Sequence, residues 1–335
     1  MDRYDRQIRV AKIGAAGQAK LQAAHVLIVG CGALGTYTAE QCVRMGIGQL
    51  TLVDYDHVEL HNLQRQTLFT EADALEAIPK VTAAAKALQA INRAVVINPI
   101  QASFEEFILA ELPPADLLLD CTDNYQVRQQ LNDYCRHYQR PLVFAALAGT
   151  TGQVMPLRPG VDICLGCAFP NLTELAQKDC DLLGVMTPLV PLISSLQVSL
   201  ALQILTAAPD LRWDQMIYVD GWSLAIQKFK VRRNPHCAYC QKAPAAAPNL
   251  TIKKLCGQQV FAVQMAPALY EKLAACPKPI TIRQNPLATQ LTWDHYQITC
   301  FPNGRAHFYG FQDAEEVRPY AEQLVSGGLF NGHQA

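Results

Sequence analysis

The stretch HVLIVGCGALGTYTAEQCVRMG, residues 25–46, decides the fold class. An apolar run over residues 26–29 leads into a turn with three glycines, and a helical pattern follows; the glycines are Gly30, Gly32 and Gly35. A strand, a Gly-x-Gly-x-x-Gly turn and a helix in this order let the backbone approach a phosphate group closely. Dehydrogenases use this turn for NAD and other proteins use it for ATP, so the turn alone leaves both nucleotides open.

The bulk composition excludes several classes of protein. Half of the 335 residues are hydrophobic, 17% are charged, and the formal net charge is -1. A sizeable core is therefore expected, and non-specific nucleic-acid binding is not. The N-terminus is charged from its second residue, unlike a signal peptide, and the longest apolar stretch, 184–205, is interrupted by Pro188 and Pro191. We therefore expect no membrane span and a reducing cytoplasm, where the twelve cysteines serve as thiols, metal ligands or catalytic groups.

Strand and helix patterns alternate over the first 150 residues. The strand patterns lie at 26–29, 50–53, 95–99, 117–121 and 142–146, and the helical patterns at 36–45, 80–92, 104–111 and 126–140. Such alternation predicts an α/β fold with a Rossmann-like, mostly parallel sheet and helices on both faces. Residues 3–24 precede the first strand and predict an N-terminal helical arm.

The pattern changes after residue 150. Short strand patterns at 154–157, 218–220 and 225–231 flank a long helix at 188–206, which predicts an antiparallel extension of the sheet. Residues 242–249, KAPAAAPN, have the composition of a linker. The expected domains are therefore 1–241, the linker 242–249, and a small C-terminal α/β appendage at 250–330, for which the sequence indicates no role.

Two Cys-x-x-Cys pairs stand in the region of the antiparallel extension. CLGC contains Cys164 and Cys167, and CAYC contains Cys237 and Cys240. Four thiolates suit a closed tetrahedral zinc site of the structural kind. Roughly seventy residues separate the pairs, more than in a zinc ribbon, so the zinc would join distant parts of one domain. The alternatives are four unrelated thiols or a redox pair.

Charged residues after the second strand bear on the choice of nucleotide. Asp54 ends that strand, where an acid can bind ribose hydroxyls in either kind of site. Arg65 follows in HNLQRQTLF, and Lys80 begins a helix. A dehydrogenase does not need this pair of cations, whereas a triphosphate needs them to neutralise its oxygens in the transition state. Each cation alone would be read as a solvated surface group, but the set favours ATP.

The fourth strand ends in LLLDCTDN, at the ligand crevice of a parallel sheet. Asp120 and Asp123 lie there, and a carboxylate beside a triphosphate is suited to holding magnesium. The alternative for Asp123 and Asn124 is a helix N-cap.

Together these segments resemble the ThiF/MoeB superfamily of adenylyltransferases, bacterial relatives of ubiquitin-activating enzymes. The matching segments are RYDRQI, VLIVGCGALG, LTLVDYD, NLQRQTLF, PKV, DCTDN, CLGC, SSLQ and RNPHCAYC, in the family's order within residues 1–241. The resemblance implies that ATP and magnesium are bound. It also implies adenylation of the C-terminal glycine of a small β-grasp sulfur-carrier protein ending in Gly-Gly, for molybdopterin or thiamine-thiazole biosynthesis.

The resemblance carries site residues over to this chain. It implies that Gly32 lies under the nucleotide, Asp54 binds the ribose, and Asp123 binds magnesium. The implied nucleotide-binding set is Gly30, Gly32, Gly35, Asp54, His61, Asn62, Leu63, Gln64, Arg65, Lys80, Asp123 and Asn124, and the implied catalytic set is Arg6, Arg65, Lys80, Asp123 and Cys180.

Two of these residues imply partners. Arg6 matches an arginine that reaches the phosphates bound by a second subunit, which implies a homodimer; its alternative is a salt bridge that anchors the arm. Cys180 matches the family's reactive cysteine, used in a covalent step after adenylation; its alternative is an inert loop cysteine. The C-terminal segment is too short for a sulfurtransferase domain, so sulfur would come from another protein. An NAD-dependent oxidoreductase and a non-catalytic subunit that binds a β-grasp protein remain the alternatives for the whole chain.

Overall fold

The computed structural model describes residues 3–109, 114–170, 184–241, 252–254, 260–265, 270, 273, 280–284, 288–302 and 304–325. The chain forms two compact units, one of residues 1–104 with 113–245 and one of residues 105–112 with 246–335. Cys180 and the segment 242–249 lie outside the described residues. The role of Cys180 and the domain boundaries 1–241, 242–249 and 250–330 therefore stay predictions.

An eight-stranded sheet forms the centre of the first unit. Its strands are β1 His25–Val29, β2 Gln49–Val53, β3 Val96–Ile100, β4 Leu117–Asp120, β5 Leu142–Ala148, β6 Thr151–Leu157, β7 Gln215–Asp220 and β8 Ala225–Lys230. They lie in the order β3-β2-β1-β4-β5-β6-β7-β8. β1 to β5 are parallel, and β6 to β8 continue the sheet antiparallel. The predicted α/β class, a mostly parallel sheet with an antiparallel extension, is confirmed.

The central parallel strands are apolar because both of their faces are buried. Every residue of β4 is buried, and β1 is buried over 26–29. Val29 of β1 pairs with Val53 of β2 and with Asp120 of β4. These strands therefore end at one edge of the sheet, the edge at which parallel sheets bind ligands.

Helices pack around this sheet. They are α1 Asp5–Ile8, α2 Gly14–Ala23, α3 Ala33–Met45, α4 Glu71–Leu75, α5 Lys80–Ile91, α7 Tyr125–Tyr138, α8 Leu165–Ala168, α9 Leu189–Thr206 and α10 Ala238–Gln241, while α6, Phe104–Leu109, begins in the first unit and continues in the second. Within the described part of the chain, α9 alone has the length and apolarity to cross a membrane. It packs on α3, β5 and β6, as the core helix of a globular unit does.

Helix and strand limits differ from the sequence predictions by a few residues. The helix expected from Thr36 begins at Ala33, because Gly32 takes the N-cap position with φ -92° and ψ -141°. The helix expected to reach Arg140 ends at Tyr138, because Gln139 adopts the left-handed conformation with φ +52°.

The N-terminal arm is helical, as predicted, and is fixed to the C-terminal end of α3. The Tyr4 hydroxyl accepts a hydrogen bond from Asn92 Nδ2 at 2.8 Å, and Gln7 Nε2 donates to the Met45 carbonyl at 3.0 Å. A Cβ on Gly46 would lie 2.4 Å from Cζ of Tyr4, so glycine makes room for the tyrosine ring. The arm therefore lies at the opposite end of α3 from the glycine turn.

A six-stranded antiparallel sheet forms the second unit. Its strands are β9 Lys253–Lys254, β10 Val260–Gln264, β11 Thr281–Gln284, β12 Thr289–Trp293, β13 Tyr296–Cys300 and β14 Arg305–Tyr309, in the order β11-β12-β13-β14-β10-β9. Helix α11, Ala314–Val325, contributes Val317, Ala321 and Leu324 to the core that the sheet forms. Strands followed by a helix agree with the predicted small α/β appendage.

Candidate functional site

The glycine turn after β1 packs tightly on the end of β4. Gly30 has a φ of +90°, and a Cβ there would lie 2.6 Å from the carbonyl oxygen of Cys121. A Cβ on Gly35 would lie 1.9 Å from the carbonyl oxygen of Gly30. The protein's own backbone therefore excludes side chains at Gly30 and Gly35.

Packing against the described residues does not explain why position 32 is a glycine. The nearest heavy atom to a Cβ on Gly32 would be Nε2 of Gln66 at 3.8 Å, an ordinary van der Waals distance. Among the residues that the structure describes, no side chain caps α3, which begins at the next residue, so the first N–H groups of this helix are available to an anion. A Cβ at Gly32 would occupy the space beside these groups. The turn thus has the form of a cradle for a phosphate chain.

Asp54 ties the turn to the end of β2. Its carboxylate accepts hydrogen bonds from the N–H of Cys31 at 2.6 Å and from the N–H of Asp56 at 2.8 Å. Burial raises the pKa of Asp54, while these two N–H donors and Lys80 oppose the rise. A carboxylate has about four acceptor positions, so Asp54 can still receive hydroxyl donors from a ligand.

Lys80 is a buried cation held in place by an acid. It is the first residue of α5, and its Nζ lies 2.9 Å from Oδ2 of Asp56. Its backbone N–H also donates to the Asp56 carbonyl at 2.9 Å. Asp56 is not among the predicted site residues; in the sequence it is the second acid of VDYD, two residues after Asp54. Asp56 therefore fixes the position of the Lys80 side chain through this ion pair.

The segment after Glu59 folds back on itself through side-chain contacts. The 3₁₀ turn Leu60–Asn62 is closed by Asn62 Oδ1, which accepts from the Glu59 N–H at 3.2 Å. His61 is exposed, and its carbonyl accepts from Arg65 Nη1 at 3.0 Å. Asn62 and Arg65 are thereby held in one short loop.

Three further residues of this segment complete the loop. Leu63 packs partly buried on the core, and Gln64 Oε1 accepts from the Thr187 hydroxyl at 2.6 Å. Gln66 is buried beside Gly32, and its Oε1 has no hydrogen-bond partner among the described residues. Gln66, the last residue of NLQRQ, belongs to the segment that the sequence places beside the nucleotide together with Asn62 and Arg65, although it is not in the implied binding set.

The two acids after β4 have different surroundings. Asp120 is buried, accepts from the N–H and hydroxyl of Thr122 at 2.9 and 2.8 Å, and lies 3.4 Å from Nε of Arg128. Burial raises the pKa of Asp120, and Arg128 partly reverses this. Asp123 is exposed. Asn124 Oδ1 accepts from the N–H groups of Gln126 and Val127, so the N-cap expected here is Asn124.

The acids that follow β2 and β4 act on the same side chain, Tyr55. The pKa of the exposed Tyr55 hydroxyl is raised, first by Asp56 and further by Asp54 and Asp123, while Lys80 lowers it. The structure therefore brings together the predicted residues of the turn, Asp54, Lys80 and Asp123 at one sheet edge. It does not bring Arg6 there, because Arg6 lies on the arm beside the far end of α3.

The four cysteines of the two Cys-x-x-Cys pairs form one cluster. All four Sγ atoms lie within 4.8 Å of one another. The close Sγ–Sγ distances are 3.7 Å for Cys164–Cys167, 3.6 Å for Cys164–Cys237, 3.6 Å for Cys167–Cys240 and 3.2 Å for Cys164–Cys240. Four sulfurs at the usual zinc–sulfur distance of about 2.3 Å in a tetrahedron are about 3.8 Å apart. The cluster is thus compatible with a tetrahedral zinc ion.

Comparison with known proteins gives the family. A match to the ThiF family extends over residues 4–239. The molybdopterin-synthase adenylyltransferase of Escherichia coli is 39% identical over 243 residues, 72% of this chain and 96% of that protein. The sulfur carrier protein ThiS adenylyltransferase of Bacillus subtilis is 32% identical over 326 residues, 94% of this chain and 97% of that protein. The latter therefore also matches most of the C-terminal unit.

The fold has solved counterparts. A crystal structure of E. coli MccB with ATP superposes with a TM-score of 0.62 at 22% identity, over 72% of this chain and 74% of MccB. At this identity the likeness concerns the fold alone. The sequence matches confirm the resemblance predicted from the motifs: the chain belongs to the ThiF family and is an adenylyltransferase.

Proposed function

We propose that this protein adenylates the C-terminal glycine of a small β-grasp sulfur-carrier protein with ATP, giving an acyl-adenylate and pyrophosphate. The main observation is Gly32, which is bare although the surrounding protein leaves room for a side chain. The names of the relatives, which include adenylyltransferases for molybdopterin synthase and for ThiS, support the carrier as substrate. Either molybdopterin or thiamine-thiazole biosynthesis is therefore the pathway to test.

The reaction is a substitution at the α-phosphorus of ATP. A carboxylate oxygen of the carrier's terminal glycine forms the new P–O bond, and the bond to the bridging oxygen of the β-phosphate breaks as pyrophosphate leaves with the electron pair. Asp54 holds the ribose, and Asn62, Arg65 and Lys80 hold phosphate oxygens and neutralise their charge. Magnesium bound at Asp123 would add charge neutralisation on the phosphate oxygens.

Carrier-dependent exchange of labelled pyrophosphate into ATP tests this proposal. Exchange is expected with magnesium and a carrier ending in Gly-Gly, and not with the same carrier lacking its last glycine. Both candidate carriers, the molybdopterin and thiazole types, are compared side by side. Tight NAD binding without exchange from either carrier would instead support an oxidoreductase, and carrier binding without exchange would support a non-catalytic subunit.

We further propose a homodimer in which Arg6 acts on the partner's nucleotide. Arg6 is exposed, and no acid pairs with it in the described part of the chain; Arg9 forms the ion pair with Asp5 instead. An open cavity of about 640 Å³ is lined by Gln7, which follows Arg6 on the arm, by α3, and by the face of α9 that includes Val198 and Leu202. A second copy seated on this face would cover the apolar outer surface of α9.

We assign the cysteine cluster to a structural zinc ion. Burial raises the pKa of Cys164 and raises that of Cys240 to about 11, whereas hydrogen bonds lower the pKa of Cys167 despite its burial. Because all four sulfurs lie within 4.8 Å of one another, four thiolates here would need a cation to offset their mutual repulsion. All four ligand positions are filled by cysteine, which leaves no open position for a substrate. The zinc would therefore stabilise the fold of the antiparallel extension.

Replacing Cys237 with alanine is expected to remove the zinc, which should be present at about one ion per chain in the unaltered protein. We also expect the melting temperature to fall by about 10 °C. Metal analysis and thermal unfolding measure both effects. Cys42→Ala, which removes a buried thiol outside the cluster, should keep its zinc; zinc retained by the Cys237 variant would refute the assignment.

The surface at the β7–β8 turn suits the body of the carrier. Trp222 and Leu224 are 79% and 81% exposed, and Asp220 holds their turn by accepting from the Trp222 N–H at 3.0 Å. Lys228 follows on β8, is exposed and favours an acidic partner, whereas Lys230 already forms an ion pair with Asp214 at 3.6 Å. The turn lies at the same sheet edge as Asp123, three to four strands away, or about 17 Å. An extended tail of about five residues would span that distance.

Trp222→Ala is expected to raise the KM for the carrier by about 10-fold or more, because exposed aromatic anchors dominate protein interfaces. The KM for ATP should stay unchanged. Leu75→Ala, which removes another highly exposed apolar side chain, serves as the control. An unchanged carrier KM in the Trp222 variant would exclude this turn as the contact.

The remaining expectations follow from the proposed reaction. Cys180 would act in a covalent step after adenylation, and the sulfur would come from a donor protein. We place the reaction in the cytoplasm, where a thiol of this kind stays reduced.

A further inference from the structure

Helix α7 carries three buried polar side chains on one face. Arg128, Asn132 and Arg136 are 4%, 1% and 7% exposed. Residues four apart lie one above another on a helix, and the buried stripe of a helix is normally apolar. We call these three residues the α7 ladder. Each polar side chain in such a buried stripe needs a hydrogen-bond partner.

The first member of the ladder holds the loop that contains Asp123. Arg128 Nη2 donates to the Thr122 carbonyl at 2.6 Å and lies 3.4 Å from the Ala145 carbonyl, and Nε lies 3.4 Å from the Asp120 carboxylate. Its guanidinium also stands 5.1 Å from the centre of the Phe144 ring. Thr122 immediately precedes Asp123, so Arg128 fixes the backbone from which Asp123 projects.

The other two members hold the two cysteine pairs. Asn132 Oδ1 accepts from the Leu165 N–H at 2.9 Å, between Cys164 and Cys167. Arg136 Nη1 donates to the Tyr239 carbonyl, between Cys237 and Cys240. One helix therefore contacts the backbone of both pairs. From Arg128 to Arg136 the rise along α7 is about 12 Å.

We infer that the α7 ladder couples the cysteine cluster to the magnesium carboxylate. Arg128 is a positioning residue for Asp123. The metal-loaded cluster contacts α7 through Asn132 and Arg136, and thereby holds the helix where Arg128 can position Asp123. This inference rests on the proposed roles of Asp123 and of the cluster. Buried polar groups cannot leave their hydrogen-bond partners without loss of stability. When the cysteine pairs shift, α7 therefore moves with them as a rigid body and the hydrogen bonds are kept.

The nucleotide side is tested by Arg128→Lys. The lysine keeps a positive charge beside Asp120 but cannot hold Thr122, Ala145 and Asp120 together, because it lacks the planar fork. We expect the magnesium concentration for half-maximal ATP binding, measured by calorimetry, to rise about 10-fold, with little change in ATP binding without magnesium. Arg212→Lys serves as the control. It removes an exposed two-hydrogen-bond contact between the guanidinium and the Asp214 carboxylate and should leave the magnesium dependence of ATP binding unchanged.

The metal side is tested by Asn132→Leu and by removing zinc from the unaltered protein. The leucine variant should release zinc to a chromogenic chelator about 10-fold faster and show the same shift in magnesium dependence as Arg128→Lys. Zinc-stripped protein should show that shift too, together with faster hydrogen exchange along α7, and reloading zinc should reverse both.

The outcomes separate the inference from the proposed function. Unchanged magnesium dependence in zinc-stripped protein would overturn the coupling, and unchanged magnesium dependence in Arg128→Lys would overturn the positioning role of Arg128, even where carrier-dependent exchange is normal. Should Arg128→Lys fail to fold, the zinc-stripped protein decides alone. The readout is nucleotide binding, so a failure to find the carrier would leave this test intact.

Discussion

Asp123→Ala is expected to lower carrier-dependent exchange of pyrophosphate into ATP by at least about 10³-fold. Among the two acids at the end of β4, Asp123 alone is exposed, while Asp120 is buried against Arg128 and Thr122. Removing Asp123 would leave the phosphate charges without the magnesium that offsets them as pyrophosphate departs. Initial rates at saturating ATP and carrier measure the effect.

Two further variants serve as controls for the Asp123 variant. Asp116→Ala removes an exposed acid next to the opposite end of β4 and should keep nearly full exchange. Cys180→Ala should also keep exchange and block only later sulfur transfer. The loss in the Asp123 variant should come without a fall in melting temperature, since an exposed carboxylate contributes little to folding. If the Asp123 variant retains exchange, magnesium is bound by other residues. If the Cys180 variant loses exchange, that cysteine takes part in adenylation itself.

The turn shows what a sequence pattern can and cannot reveal. Gly-x-Gly-x-x-Gly between an apolar run and a helix predicted β1, α3 and the sheet edge correctly, because periodicity reports local structure. The pattern treated its three glycines alike. In the structure, Gly30 and Gly35 are required by backbone packing, and only Gly32 is left for a ligand. That distinction depends on atoms from β4 and from the segment around Gln66, which are distant in sequence.

Contacts between distant segments account for what the sequence could not show. The sequence predicts Lys80 as a phosphate-binding cation without indicating a partner for it. In the structure its ammonium donates a hydrogen bond to Asp56, twenty-four residues earlier. Arg128, Asn132 and Arg136 are spaced by four and would pass for a solvated helix face. Asn132 and Arg136 are buried against the two cysteine pairs, and Arg128 against the end of β4 and against β5, all of them segments that the local pattern of α7 does not reveal. By contrast, the four cysteines could be grouped from spacing alone, because their chemistry restricts the arrangement.

Mixing two inactive variants should restore exchange if Arg6 acts across the dimer. Gln7 of the arm is bonded to Met45, the last residue of α3, whereas the cradle lies at the first turn of that helix, about 18 Å away along its axis. Arg6 is therefore remote from the nucleotide of its own subunit. Arg6→Ala alone should lower exchange by about 10²-fold or more, as the loss of a charge-stabilising donor does.

In a hybrid of Arg6→Ala with Asp123→Ala, one composite site combines the intact Asp123 of one chain with the intact Arg6 of the other. Subunit exchange at equal amounts makes about half of the dimers hybrid, and each hybrid has one working site of two, so about a quarter of the unaltered activity should return. Arg6→Ala mixed with the double variant Arg6→Ala, Asp123→Ala provides the control, because no chain in that mixture supplies Arg6. Recovery in the control, or none in the first mixture after demonstrated subunit exchange, would mean that Arg6 does not act in trans. Since neither variant alters the cradle of the other chain, recovery can arise only from a site shared between two copies.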